Sequence, residues 1–162
     1  MTNTQETVIE VRPVLPSEAP LLSQVAHIAK AYWGYSPEFM QAFDAELTFS
    51  EADLSDEHNL FRVCTRDGNI RGFYALDLVS DSEDHVEMTA LFVEPMALGS
   101  GLGSRLFADA VEEARKAGAK EMMIHSDPYA EKFYLKMGAE NMGAVASRTV
   151  SEREIPLLRF VL

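Results

Sequence analysis

The sequence has a single cysteine, Cys64. One thiol cannot close an internal disulfide, so the chain must be held by its core, in keeping with a reducing compartment. No apolar run approaches the roughly 20 residues that span a bilayer. The opening residues MTNTQET are polar and lack the basic-then-apolar order of an export signal, so a cytoplasmic location is expected. Basic residues are also scarce: 14 Lys and Arg stand against 26 Asp and Glu, a formal net charge of −12. Such a surface repels nucleic acid and anionic membranes and attracts cationic partners, although solubility alone explains it equally well. The four histidines, His27, His58, His85 and His125, show no paired ligand spacing, and no metal is expected.

What is present fits one domain over residues 1–162, with 1–7 as a flexible tail; 47% hydrophobic residues is enough for one core. Val8–Val14 alternates as a strand. Ser17 is the expected cap of a first helix with Leu21, Val25, Ile28, Ala29 and Tyr32 on one face. Ser36 and Pro37 open a second helix carrying Phe39, Met40, Phe43 and Leu47. Leu60–Thr65, Ile70–Val79 and Val86–Val93 read as an antiparallel meander, turning at Asp67-Gly68-Asn69 and over Ser80–Asp84. A helix from Ser104 to Ala117, ended by Gly118, leads to a strand at Lys120–His125, and a helical crossover makes that strand parallel to the one before. A short helix over Tyr129–Met137 and strands at Ala139–Ser147 and Pro156–Leu162 complete an α+β chain.

The stretch LFVEPMALGSGLGSRLFADAVEEARKAG, Leu91–Gly118, carries the strongest chemical signal. Gly99, Gly101 and Gly103 remove Cβ atoms from a strand-to-helix turn. Their amides, with those of the next helical turn, can converge on a phosphate or pyrophosphate at the positive end of the helix. The loop lacks the Gly-Lys-Ser/Thr ending of a triphosphate site and the spacing of a dinucleotide fingerprint. On its own it stays open to ATP, NAD or CoA.

Two motifs narrow the choice. LFVEP followed by LGSGLG resembles the acyl-CoA-binding motif of the GNAT superfamily of N-acetyltransferases, strand-Pro-Arg/Gln-x-x-Gly-x-Gly/Ala, with Leu98 where Arg or Gln is usual. DPYAEKFYLKMGA, Asp127–Ala139, resembles the family segment N-x-x-A-x-x-F-Y-x-K-x-G-F; Asp127 stands where Asn is usual and Ala139 where Phe is usual. The order of elements matches over essentially the whole chain. The resemblance implies a mixed, mostly antiparallel sheet with one parallel strand pair, flanked by helices. It also implies acetyl-CoA as cosubstrate and a direct transfer to a primary amine.

The resemblance further implies roles for particular residues. Leu98, Gly99, Ser100, Gly101, Leu102, Gly103 and Ser104 would cradle the pyrophosphate, with Asp127 and Phe133 near the cofactor. Leu91, Phe92 and Val93 would act through their backbones, an amide near Leu91 polarising the thioester carbonyl. Tyr134 would protonate the departing thiolate. Glu87 and His125 are rival acceptors of the amine's proton; Glu87 shares a face with Leu91 if no bulge intervenes. Trp33 and Tyr35, on the turn WGYSPEF, would contact a cationic small-molecule or peptide amine. A homodimer accords with the family, and a catalytically silent CoA-binding or regulatory domain is the alternative reading.

Overall fold

The computed structural model describes residues 7–79 and 84–162. The expected tail, apart from Thr7, and most of the Ser80–Asp84 turn lie outside the described residues. Seven strands form one sheet: β1 (Ile9–Pro13), β2 (Asn59–Arg66), β3 (Asn69–Asp77), β4 (His85–Val93), β5 (Glu121–His125), β6 (Glu140–Ala146) and β7 (Glu154–Val161), in the order β1-β2-β3-β4-β5-β7-β6. The helices are α1 (Ala19–Ala31), α2 (Pro37–Ala42), α3 (Glu51–Ser55), α4 (Leu102–Lys116) and α5 (Glu131–Lys136). β1 to β4 pair antiparallel. β4 and β5, joined through α4, are the one parallel pair, because a helical crossover returns the chain in the same direction.

Each face of the sheet buries its own core. On one, α4 lays Leu106, Phe107, Ala110, Val111 and Ala114 against Tyr74, Leu76, Met88, Met122 and Ile124. This is the stripe that the helical period predicts. On the other, α1 packs Leu22, Val25 and Ala26 over Phe73, Ala75 and Ala90. The buried face of α1 therefore differs from the expected one. Val25 and Ala29 are buried as expected, but Leu21, Ile28 and Tyr32 are exposed and Leu22 and Ala26 are buried in their place, because the small Ala26 and Ala29 side chains let the helix lie close to the sheet.

Local signals explain most boundaries. Ser36 accepts from Phe39 N and Ser50 from Asp53 N, each capping a short helix. Ser17 does not cap α1. Pro16–Glu18 forms a 3₁₀ turn in which the Glu18 carboxylate accepts from Leu15 N at 2.8 Å and pairs with Arg12 at 2.8 and 2.9 Å. Leu47 lies beyond the end of α2, though still buried. Asp67 and Gly68 both adopt positive φ, 51° and 85°, as a two-residue hairpin turn requires.

Candidate active site

The site begins where two strands part. β4 and β5 pair from His85↔Glu121 to Met88↔Ile124 and no further. Between β3 and β4 the register passes from Leu76↔Met88 to Ala75↔Ala90, so Thr89 is an extra residue, a β-bulge. Beyond it, Ala90–Val93 pair with β3 alone, and their other edge borders a cavity of about 490 Å³ between β4 and β5. The amide of Glu94 donates to the carbonyl of Arg71 at 2.8 Å, toward β3. N–H groups alternate sides along a strand, so Phe92 also points toward β3, whereas Leu91 and Val93 direct their N–H groups at the cavity. Two of the three expected backbone donors, Leu91 and Val93, are thus aimed into open space, whereas the Phe92 amide is turned to β3 and away from the cavity.

The bulge also sets where the two expected proton acceptors lie. Val86 and Met88 belong to the α4 core, as do Leu91 and Val93 after the bulge, whereas Ala90 and Phe92 belong to the α1 core. Glu87 therefore lies on the α1 face, opposite Leu91; the extra residue reverses the parity expected from an unbroken strand. His125 faces the same way, since Met122 and Ile124 on its strand face α4. The two rivals come together, His125 Nε2 lying 3.9 Å from Glu87 Oε1, which is too long for a hydrogen bond. His125 lines the cavity; Glu87 does not, and its carboxylate is held at 3.2 Å by Arg148 from the β6–β7 loop.

At the other end, the turn after Pro95 brings the glycine loop to the N-terminus of α4. Gly99 and Gly101 adopt φ of 78° and 85°, a left-handed backbone that L side chains resist, and a Cβ at either would meet open space. Gly101 is the helix cap, and the first helical bond runs from Arg105 N to Gly101 O at 3.1 Å. The amides of Leu102, Gly103 and Ser104 precede it and have no intrahelical acceptor. No acidic residue occupies this first turn, so the helix dipole acts there without an opposing side chain. At Gly103 a Cβ would reach the Phe133 ring at 3.4 Å, at the edge of ordinary contact, so α5 packs directly on this end of α4.

Leu98, Gly99, Gly101, Gly103 and Ser104 line the cavity, as do Asp127, Phe133 and Tyr134. Two expected loop contacts do not. The Ser100 hydroxyl turns back to the Ala97 carbonyl, and the Leu102 side chain is buried in the α4 core. Only the Leu102 amide remains for a ligand.

Tyr134 is 5% exposed, its ring against Phe107 and Phe133, and its hydroxyl finds no hydrogen-bond partner among the described residues. Burial, with a smaller contribution from the Asp127 charge, raises its pKa well above the ordinary tyrosine value and keeps the phenol protonated.

On the α1 side Trp33 lines the cavity, stacked on Tyr129 with ring centroids 5.5 Å apart. Tyr35 does not line it. Its hydroxyl donates to the Asp127 carboxylate at 2.8 Å and accepts from Arg153 at 2.9 Å. Burial and the Asp127 carboxylate raise its pKa as well. Asp127 also accepts from Tyr129 N at 2.9 Å and from Lys30 Nζ at 3.0 Å. Sequence reasoning passed over Lys30, Glu46 and Tyr129, which line the cavity, and Arg148. Lys30 did leave a trace: it extends the Leu22–Ala26 row of α1, a charge on an apolar stripe.

Among the described residues no helix is long and apolar enough to cross a membrane. No curated protein matches the sequence significantly. Among solved structures, the PaiA N-acetyltransferase from Thermoplasma acidophilum, in complex with coenzyme A, superposes with a TM-score of 0.78 at 19% identity, over 96% of this chain and 99% of its own. YncA from Salmonella typhimurium with acetyl-CoA gives 0.69 at 16% identity, over 95% and 94%. The ribosomal-protein-S18-alanine N-acetyltransferase from Escherichia coli gives 0.69 at 18%, over 95% and 94%. At such identities the likeness concerns the fold. The profile of the Acetyltransferase (GNAT) family matches residues 22–139, a span that includes both the glycine loop and Tyr134, and the chain belongs to that family.

Proposed function

We propose that this chain, as one domain, transfers the acetyl group of acetyl-CoA directly to a primary amine. The observation that carries the proposal is the free edge of β4. Its Leu91 and Val93 amides point into a cavity lined by the glycine loop, Tyr134 and His125. The residues present fit the cosubstrate. The unbonded amides of Leu102, Gly103 and Ser104 suit its pyrophosphate, and Lys136, on the same cavity, adds a positive charge. Leu98 offers no polar side chain, so recognition at the loop rests on the backbone and the helix end.

The chemistry follows from these positions. His125, with Glu87 behind it, takes a proton from the incoming ammonium and frees the nitrogen lone pair to attack the carbonyl carbon. The Leu91 amide stabilises the negative charge that develops on the carbonyl oxygen. As the C–S bond breaks, its electron pair stays on sulfur. The Tyr134 O–H bond breaks and its proton goes to that sulfur, while the attacking nitrogen, positively charged after attack, gives its second proton to solvent to leave the neutral amide; solvent then reprotonates the Tyr134 phenolate. Cys64 takes no part: it is buried, and burial raises its thiol pKa, which disfavours a thiolate nucleophile. The acceptor is a small molecule or a peptide amine. A positively charged one is favoured by Trp33 and the Glu46 carboxylate on the cavity wall and by the acidic surface.

Thermal shift and thiol release test this reading. Acetyl-CoA should raise the melting temperature while ATP and NAD do not; a ligand at about 100 times its Kd contributes roughly 2.7 kcal/mol. Free thiol should then appear with at least one member of a panel of butylamine, ethanolamine, phenethylamine, lysine amide and an alanine-terminated peptide. Absence of any shift with acetyl-CoA would overturn the proposal. A shift without thiol release from any amine would favour the silent CoA-binding reading, for which Leu98 is the motivating departure.

A further inference from the structure

Asp127 stands where the family motif has a neutral asparagine, so this chain places an additional negative charge at the cavity wall beside its proposed acid. The charge is not left alone. Lys30, near the C-terminal end of α1, is 8% exposed, the one charged residue that is buried among the described residues. Its Nζ lies 3.0 Å from Asp127 Oδ2, and the two side chains are 10% and 17% exposed. The same nitrogen sits 4.0 Å from the ring centroid of Phe43 and 5.2 Å from that of Tyr35. Its charge is thus committed to one carboxylate and two aromatic faces. Asp127 in turn has its oxygens filled by Lys30, the Tyr35 hydroxyl and the Tyr129 amide.

We propose that Lys30 is a positioning residue for the acid step: its ammonium offsets the charge of Asp127, so that the phenolate left on Tyr134 faces an ion pair instead of a lone carboxylate. The inference rests on the acetyl-transfer reading and adds a residue to it. Geometry and charge both support it. Asp127 caps the turn that leads into α5, the helix carrying Tyr134, and both residues line the cavity. Its carboxylate opposes loss of the phenol proton, the direction expected of a like charge close by in a site screened from water. Proton donation to the thiolate creates that second negative charge. An asparagine would not oppose it, and an aspartate paired to Lys30 approaches the same neutrality. With Lys30 in place Asp127 still opposes the phenolate, so the ammonium offsets part of that charge and brings the pair closer to a neutral side chain than a lone aspartate would be.

A double-mutant cycle tests this, with acetyl-CoA and the fastest amine of the panel above. Lys30→Met leaves Asp127 without its directly bonded cation, holding only the neutral Tyr35 and Tyr129 donors, and should lower kcat about tenfold, the equivalent of one pKa unit on the acid. The apparent affinity for CoA should stay within about twofold, since Lys30 does not meet the glycine cradle. Lys30→Met with Asp127→Asn removes both charges and should recover most of the lost kcat. Lys30→Arg, which keeps the charge and guards against misfolding of the methionine variant, should retain kcat within about threefold. A double variant no faster than Lys30→Met would overturn the proposal. So would a Lys30→Met enzyme that loses melting temperature but keeps kcat, because a purely structural tie would behave that way. A parent protein that binds CoA and releases no thiol with any amine overturns acetyl transfer itself, and the role of Lys30 with it.

Discussion

Replacing Tyr134 by phenylalanine separates chemistry from stability more cleanly than any other change at this site. The ring of Tyr134 is packed, with centroids 6.1 Å from Phe107 and 5.4 Å from Phe133, and phenylalanine keeps those contacts. The hydroxyl has no hydrogen-bond partner among the described residues, so the net 0.5–1.5 kcal/mol of a typical hydrogen bond is not at stake. Stability should change by less than about 0.5 kcal/mol, and the melting temperature by less than about 2 °C for a chain of this size. Turnover should respond strongly. A positioned general acid contributes about 10²- to 10⁴-fold, or about 3–5 kcal/mol of activation free energy. The Tyr134→Phe enzyme should therefore melt with the parent, bind CoA as the parent does in calorimetric titration, and lose at least about 100-fold in kcat by thiol-release assay. Unchanged kcat would remove Tyr134 as the acid. A fall of several degrees in melting temperature would show that the hydroxyl has a structural role which the geometry does not contain.

Other expectations follow from the same coordinates. Gly101→Asp puts a carboxylate at a left-handed position among the cradle amides, and should weaken CoA binding more than about 100-fold by calorimetry through like charge and strain; retained affinity would mean that the loop is not the cradle. A Cβ at Gly72 would lie 2.8 Å from the Phe92 carbonyl oxygen and 3.0 Å from Leu106, so Gly72→Ala must displace β4 backbone. Urea unfolding should show a loss of about 1–3 kcal/mol, with kcat falling because the Leu91 amide moves too. Tyr35, Tyr74 and Tyr134 all have pKa values raised chiefly by burial and further by a carboxylate, Asp127 for Tyr35 and Tyr134 and Asp109 for Tyr74. Their stabilising contribution is whole below the unfolded tyrosine value of about 10 and is lost as pH climbs toward the folded values. Melting temperature should therefore drop steeply above about pH 10, and a flat profile there would contradict the burial of these phenols.

The sequence alone determined most of the elements and the glycine loop at the proposed cofactor end of the site. The period of α4, the glycine turn before it, the hairpin at Asp67-Gly68 and the parallel placement of β5 are local or nearly local consequences of residue type. So is the Asp127–Gly138 segment, whose spacing sets Phe133 and Tyr134 on a short helix. The tertiary structure decided what depends on register and on which side chain finds which partner. One extra residue at Thr89 turned Glu87 to the face opposite Leu91 and set it beside His125, because a strand's side chains alternate and a bulge reverses the count. Tyr35 reads as a ligand contact from its place on a turn, but Asp127, 92 residues away, claims its hydroxyl. The buried face of α1 was set by how closely Ala26 and Ala29 let it approach the sheet, not by its largest apolar residues. Lys30 shows the division most plainly. Its helical spacing from Leu22 and Ala26 is fixed by the chain, but that this row is a buried one, and that a carboxylate 97 residues later lies 3.0 Å away, was decided by the folded sheet.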